Sequence, residues 1–544
     1  MARRLILAAA LAAVSTVTCA QTGAQLEQQA GQARAARDYP RAGALLEQAY
    51  ALKPEAPVEL YNAACAYALG GDTERAFRLL ERALDKGFVD ADNAAKDGDL
   101  AALRGDARWP LFIKKMKQRQ ALDAKLFDSS ALASGYRDNL TEDEKVAGLS
   151  KFWSEVKYNF VYTDTLKELD WDKLYLDYLP KVRATSSTAE YYRVLMQLSA
   201  RLKDGHTGIW PAKELLNTEW AKPQFKTHLV QGHVLVRSVF DPELIARGVA
   251  PGTEIVAVDG EPATAYAQRA IVPYVSASTP QDLEARTYGF QFLQGPVGTT
   301  PRVTFRTAAG KIFDADVKRV GFEKFFELAP KDAPFELRML PGNVAYVALN
   351  GFGDDQAADG YIAAFEQIAR SSALVIDLRN NGGGNSSVGY RVLATLTDKP
   401  FAPSRWATRD YRPTYRAWQL VNPDHEELDE SYPADPAHQY TKPVAVLTSA
   451  GTYSAAEDFM VAFDSMKRGP IVGEATGGST GQPLILSLPG GGRARICTKR
   501  DTYPDGRRWV GTGILPTVKA SPLLADLRRG RDTVLEAALE ALRR

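Results

Sequence analysis

Cysteine and histidine are both rare in this chain, three and five residues in 544, and the scarcity closes off several kinds of protein. Cysteines at 19, 65 and 497 cannot build a disulfide framework, since one lies in the leader and the others fall in different predicted domains. Cys65 reads instead as a small buried hydrophobe on a helix face. No His-Glu-x-x-His, no paired-cysteine spacing and no Asp-x-Asp-x-Asp-Gly loop occurs, so neither a metal nor a cofactor is expected. An excess of one charge is also missing: 67 Lys+Arg stand against 66 Asp+Glu, net +1. That balance argues against nucleic acid or an anionic membrane surface as the main partner. Beyond the leader no run is long and apolar enough to span a bilayer, so no integral membrane segment is expected in the mature chain.

What is present has the composition of a folded globular protein, 45% hydrophobic and 24% charged, and a length that calls for three or four domains. Arg3 and Arg4, an apolar run over 5–14 and a small-x-small site ending at Ala20 read as a signal peptide, residues 1–20. Cleavage after Ala20 ranks ahead of lipid attachment at Cys19, and the protein is expected to be exported, periplasmic or secreted. In residues 21–125, Ala42, Leu46 and Ala49 recur 34 residues later as Ala76, Leu80 and Ala83, with Ala33 and Tyr67 at the same offset. That period resembles tetratricopeptide repeats and implies a docking face for a protein partner, packed on a helix around Trp109 and Phe112.

A polar stretch at 128–134 reads as a linker. Residues 135–215 read as helical, opening on the capping box of Thr141 and Glu144 and ending at DGHTG (204–208), with Gly205 as a helix-terminating residue. Residues 222–322 change to short alternating strands and glycine turns, and resemble a PDZ domain of the bacterial protease type. From 336 to 530 strands at 343–349, 374–378 and 444–447 alternate with helices, which implies a layered α/β core.

Two motifs in that core carry chemistry. Residues 373–384 read ALVIDLRNNGGG, a buried strand running into three glycines whose backbone can approach a ligand closely. Residues 449–457 read SAGTYSAAE, and GEATGGSTG follows at 473–481. Ser454 opens a helix, where its hydroxyl and the next N–H sit at the positive end. Ser454 and Glu457 also form a capping-box pattern, which is compatible with a reactive serine. Asp377, Arg379 and Asn380 are expected to fix the glycine loop rather than react.

Taken in order, the motifs resemble the core of the C-terminal-processing (tail-specific) serine proteases, in the branch of tricorn and the retinoid-binding-protein relatives, over about residues 140–520. The resemblance implies a multidomain α/β chain: a Clp protease/crotonase-like spiral of ββα units as catalytic core, a PDZ-like β domain, a helical domain and an N-terminal helical repeat region. It implies a serine endopeptidase cleaving unfolded or C-terminally recognised polypeptides through an acyl-enzyme. The alternative is a catalytically inactive peptide- or ligand-binding protein on the same fold.

Within that resemblance Ser454 is the nucleophile. The tail-specific enzymes place a lysine base 25 residues after the serine, but here that position is Ser479. The tricorn branch uses a histidine from the preceding helical region, and His206 matches its motif and place. The oxyanion hole is expected from the Ala455 N–H with that of Gly384, or of Gly383. The branch's orienting glutamate, close before the segment GILP (513–516), has no counterpart. That role stays open between Asp501, Asp505 and a backbone carbonyl.

Overall fold

Two aspartates 34 residues apart start equivalent helices. Asp38 accepts the Arg41 N–H at 3.3 Å and Asp72 the Arg75 N–H at 3.0 Å, each satisfying a donor the helix start would leave orphaned. The computed structural model describes residues 23–543 except Glu55 and residues 428–430. The expected leader, with Cys19 and the cleavage point expected after Ala20, lies outside the described residues. The chain divides into two compact units, 1–124 and 125–544.

In the first unit, helices α1 (Gly23–Ala35), α2 (Tyr39–Leu52), α3 (Val58–Leu69) and α4 (Thr73–Asp85) pack in succession. Ala42, Ala49, Ala76 and Ala83 are at most 1% exposed, because small residues at corresponding places let neighbouring helices approach. Leu60, Leu80 and Leu84 pack with Trp109, Phe112 and Met116 of α5 (Arg108–Phe127), and Cys65 is a buried free thiol in the same cluster.

The second unit begins with a helical layer. The box at Thr141 forms as read: its N–H meets Glu144 Oε2 at 2.9 Å, and the Glu144 N–H meets Thr141 Oγ1 at 3.3 Å. Helices α6 (Glu142–Asn159), α7 (Trp171–Arg183) and α8 (Thr188–Ala200) bury Leu149, Phe152, Tyr191 and Leu195 in a cluster that also takes Leu486 and Ile496. After β1 (Gly208–Trp210) comes a small antiparallel sheet in sequential order: β2 (Phe225–Val230), β3 (His233–Val239), β4 (Glu254–Val258), β5 (Arg302–Arg306) and β6 (Ile312–Asp316). Val236, Ile255 and Phe305 fill its core.

The main sheet is built from β7 (Phe335–Leu340), β8 (Val344–Leu349), β9 (Ala373–Asp377), β10 (Val444–Thr448) and β11 (Ile471–Gly473). After the hairpin β12 (Pro483–Ser487) and β13 (Arg493–Cys497), β14 (Val518–Lys519) completes it. The order is β7-β8-β9-β10-β11-β14, antiparallel at the first pair and parallel thereafter. β9 and β10 are buried at every position, as strands covered on both faces must be. Leu374 and Ile376 join the cluster containing Phe352, Val388 of α9 (Ser386–Leu393) and Phe459 of α10 (Ala455–Ser465). Val375, pointing the other way, joins Val534 and Ala538 of α11 (Thr533–Ala541). Because β9, β10 and β11 are parallel, their carboxyl ends lie along one edge, where ligand sites of such sheets form. Among the described residues no helix is long and apolar enough to cross a membrane.

Candidate active site

Three loops leave that edge, at 378–384, 449–454 and 474–479, and backbone acceptors tie them together. Ser449 Oγ donates to the Arg379 carbonyl at 2.8 Å and Thr452 Oγ1 to that of Leu378 at 2.9 Å. The Tyr453 N–H meets the Asn381 carbonyl and the Gly477 N–H the Thr452 carbonyl, both at 3.0 Å. Arg379 is clamped between Asp377 and Asp532, at 2.6 and 2.8 Å. Asn380 accepts from Arg237 of β3 at 2.8 Å, so this part of the loop is held by the small β domain.

At the end of the second loop Ser454 has φ 57° and ψ −123°, a strained backbone for a residue with a Cβ. Such a sharp turn from strand to helix lifts a serine hydroxyl off the sheet edge. Ser454 Oγ lies 3.1 Å from His206 Nε2, and His206 Nδ1 lies 2.9 Å from Ser479 Oγ. His206 arrives from the helical layer because β1 pairs with β13, Gly208 opposite Arg495, while Thr207 Oγ1 accepts the Cys497 N–H at 3.0 Å.

The imidazole is boxed in. Tyr453 stacks on it with ring centroids 5.1 Å apart and planes within 5°. This explains Gly205 better than the helix-capping role expected for it. α8 ends at Ala200, and a Cβ on Gly205 would fall 2.0 Å from the Tyr453 hydroxyl. Arg286 and Arg495 donate to the Gly205 carbonyl at 3.2 and 2.9 Å, and the Gly205 N–H reaches Ser278 Oγ at 2.9 Å. Thr279 Oγ1 donates to the Gly477 carbonyl at 2.8 Å. Residues 278–286, within the small β domain, thus brace both the His206 loop and the Ser479 loop. Burial, then the nearby charges of Arg495, Arg286 and Lys499, hold the His206 pKa well below its usual value. The ring is therefore neutral at pH 7.

Glu457 is fully buried beneath these groups. Its Oε2 takes the N–H groups of Ser454 and Ser479, each at 3.1 Å; its Oε1 takes Thr476 Oγ1 at 2.5 Å and the Gly478 N–H at 2.7 Å. Burial pushes its pKa up to about 8 against these four hydrogen bonds.

The two glycines named for the oxyanion hole separate. Gly383 spends its N–H on Asn381 Oδ1 at 2.9 Å, which removes it as a donor. Its part is steric: at φ 91°, a Cβ would come within 2.7 Å of Ser454 Cβ and 2.8 Å of the Ala455 nitrogen. Gly384 is bridged to Phe352 through its neighbours, with the Phe352 N–H on the Gly383 carbonyl and the Asn385 N–H on the Phe352 carbonyl. Its own N–H faces away from that bridge. Among the described residues, neither this N–H nor that of Ala455 has an acceptor in hydrogen-bond range.

Neither carboxylate considered as the third group reaches the ring. Asp501 pairs with Lys499 at 2.9 Å and Asp505 with Arg507 at 2.7 Å. The group on Nδ1 is the Ser479 hydroxyl, at the very position where a lysine base was sought. No spacing rule reveals it, since a serine in a glycine loop carries no signal of its own. The segment expected to bring a glutamate instead braces the Ser479 loop: the Gly511 N–H meets the Gly478 carbonyl at 2.9 Å and the Ile514 N–H meets Thr476 Oγ1 at 2.7 Å.

Fold and site together are those of a layered α/β protein in which two serine hydroxyls and an imidazole form one hydrogen-bonded line at the sheet edge. Residues 343–520 match Peptidase family S41 and residues 144–200 match the Tricorn protease C1 domain. It is 28% identical over 181 residues to the chloroplastic C-terminal processing peptidase of Tetradesmus obliquus, covering 33% of this chain and 35% of that one. It is 30% identical over 196 residues to the carboxyl-terminal-processing protease of Synechocystis sp. (strain ATCC 27184 / PCC 6803 / Kazusa), covering 35% and 38%. The matched stretches thus span little more than a third of those relatives. The crystal structure of mature CPAF shares the fold, with TM-score 0.56 and 14% identity over 74% of this chain and 96% of that one.

Replacing Gly383 by alanine should lower the rate of fluorophosphonate labelling of the protein by about 10² or more, the scale of a lost oxyanion contact, while the circular dichroism spectrum is kept. Labelling at the unaltered rate would show that the loop has room for a Cβ beside Ser454.

Proposed function

We propose that this protein is an exported serine endopeptidase that cleaves polypeptides through an acyl-enzyme. The observation that carries the reading is the 3.1 Å contact between Ser454 Oγ and a neutral, buried His206 Nε2. A serine hydroxyl alone is a poor nucleophile at neutral pH and needs a base in contact. His206 takes the Ser454 proton as Oγ attacks the scissile carbonyl. The oxyanion that forms accepts from the N–H groups of Ala455 and Gly384, both fixed before the reaction begins. His206 then returns the proton to the departing amine, and water repeats the sequence on the acyl-enzyme.

The family resemblance supports finer points of the same reading: a Clp protease/crotonase-like spiral for the core, PDZ-like character for residues 222–322, and tetratricopeptide-like repeats in residues 21–125 that dock a protein partner. Substrates are unfolded chains whose C-terminal carboxylate is held in the PDZ-like domain by backbone N–H groups.

Ser454→Ala and His206→Ala should each abolish fluorophosphonate labelling and reduce hydrolysis of an unfolded substrate by several orders of magnitude. Turnover retained in the serine variant would remove this centre from the mechanism, whereas an unaltered protein that neither labels nor hydrolyses would favour an inactive binding protein. The acid limb of kcat/KM should lie below pH 6.5. A depressed pKa keeps the imidazole neutral, and so competent as a base, to lower pH than a free histidine. Arg495→Gln should move that limb upward, since the Arg495 charge is one of those disfavouring the imidazolium; an unmoved limb would separate His206 from the observed titration. Finally, a peptide with a free C-terminus should bind more tightly than its C-terminal amide, read by calorimetry on the Ser454→Ala protein. Equal affinities would leave residues 222–322 without this role.

A further inference from the structure

We propose that Ser479 is the positioning residue for the general base, so that a neutral hydroxyl sets the His206 tautomer where serine hydrolases commonly use a carboxylate. This rests on the assignment of His206 as base. For Nε2 to accept the Ser454 proton it must carry a lone pair, and the ring hydrogen must sit on Nδ1. Among the described residues the acceptor within hydrogen-bond range of Nδ1 is Ser479 Oγ, at 2.9 Å. Carboxylates that stand nearby in the chain or the fold are committed elsewhere: Asp204 Oδ2 to the Thr207 hydroxyl at 2.6 Å, Asp282 to Arg286 at 2.6 Å and Asp501 to Lys499 at 2.9 Å.

Ser479 is itself built into place. It is 0% exposed, its N–H is held by Glu457 Oε2 at 3.1 Å, and its carbonyl accepts the Ser454 N–H at 3.2 Å. The nucleophile and the base's orienting group are thus joined through one backbone hydrogen bond and one shared carboxylate oxygen. When Nε2 gains the serine proton, the Nδ1–H stays where it was. The Nδ1–H to Oγ bond becomes charge-assisted and strengthens in the transition state, but the ring gains no counter-charge. The charged and titratable groups around it are the cations Arg495, Arg286 and Lys499, the buried Asp204 and the stacked Tyr453. A base of this kind stays neutral to low pH.

The test is steady-state kinetics, with full pH profiles, on the whole protein carrying Ser479→Ala, Ser479→Thr or Ser479→Asp, together with ¹⁵N NMR of the histidine rings. Ser479→Ala should lower kcat by about 10-fold to 10²-fold, less than the 10²–10⁴ that a whole general base contributes, with KM nearly unchanged and the thermal midpoint kept. Ser479→Thr should restore most of the rate, because it returns a hydroxyl to the same place. Ser479→Asp should move the acid limb upward by supplying a counter-charge, and if that variant fails to fold, the alanine–threonine pair decides alone. In the unaltered protein the His206 Nδ1 should show a directly bonded proton that Ser479→Ala shifts. Unaltered kcat in Ser479→Ala, no rescue by threonine, or a ring protonated on Nε2 would each overturn the proposal. A protein inactive to begin with, or one unaffected by Ser454→Ala, would instead overturn the assignment on which it rests.

Discussion

A single buried carboxyl group holds the two halves of this site in register. Glu457 lies one turn into α10, yet three of its four hydrogen bonds come from residues 476–479 and the fourth from the Ser454 N–H. A carboxyl group taken out of water is costly unless its oxygens are satisfied. Here four donors converge on it, and they position the loop that carries Ser479 against the turn that carries Ser454. The Ser454 backbone, held at φ 57°, is one that a non-glycine residue keeps only when its surroundings over-determine it. Glu457 beneath and Gly383 alongside supply that constraint.

The imidazole of His206 is placed by longer-range construction. His206 belongs to the helical layer, and it reaches the sheet edge because β1 adds to the hairpin that follows the Ser479 loop. Tyr453, the residue before Ser454, stacks on its ring, while residues 278–286 fasten the Gly205 peptide on both sides. Three parts of the second unit therefore meet at one imidazole. Burial first, and then the cations among them, hold its pKa well below the usual value, which suits the role of base proposed for it.

Much of the local architecture is legible in the residues themselves. The 34-residue recurrence of small apolar positions carries its own explanation, since Asp38 and Asp72 cap corresponding helices and the recurring alanines are buried. The all-apolar strands at 373–377 and 444–448, each running into glycine or serine, likewise announce a parallel sheet with loops at one edge. Ser454 and His206 are visible as motifs 248 residues apart, because a strand-to-helix serine and a glycine-flanked histidine are local patterns.

Function of the remaining positions depends on partners that sequence does not specify. Gly383 and Gly384 are equivalent as letters, and only the bridge to Phe352 and the reach of Asn381 make one a spacer and leave the other's N–H, among the described residues, without an acceptor. Gly205 looks like a helix terminator until the Tyr453 hydroxyl is seen to occupy the space of its side chain. Ser479 reads as the absence of a lysine, and becomes the partner of Nδ1 only once β1 has carried His206 to within 2.9 Å of it. Local periodicity and turn chemistry determined which segments become strands, helices and caps, because those depend on neighbours in the chain. Which polar groups meet was decided by tertiary structure alone, because a hydrogen bond depends on distances of a few tenths of an ångström between residues hundreds of positions apart.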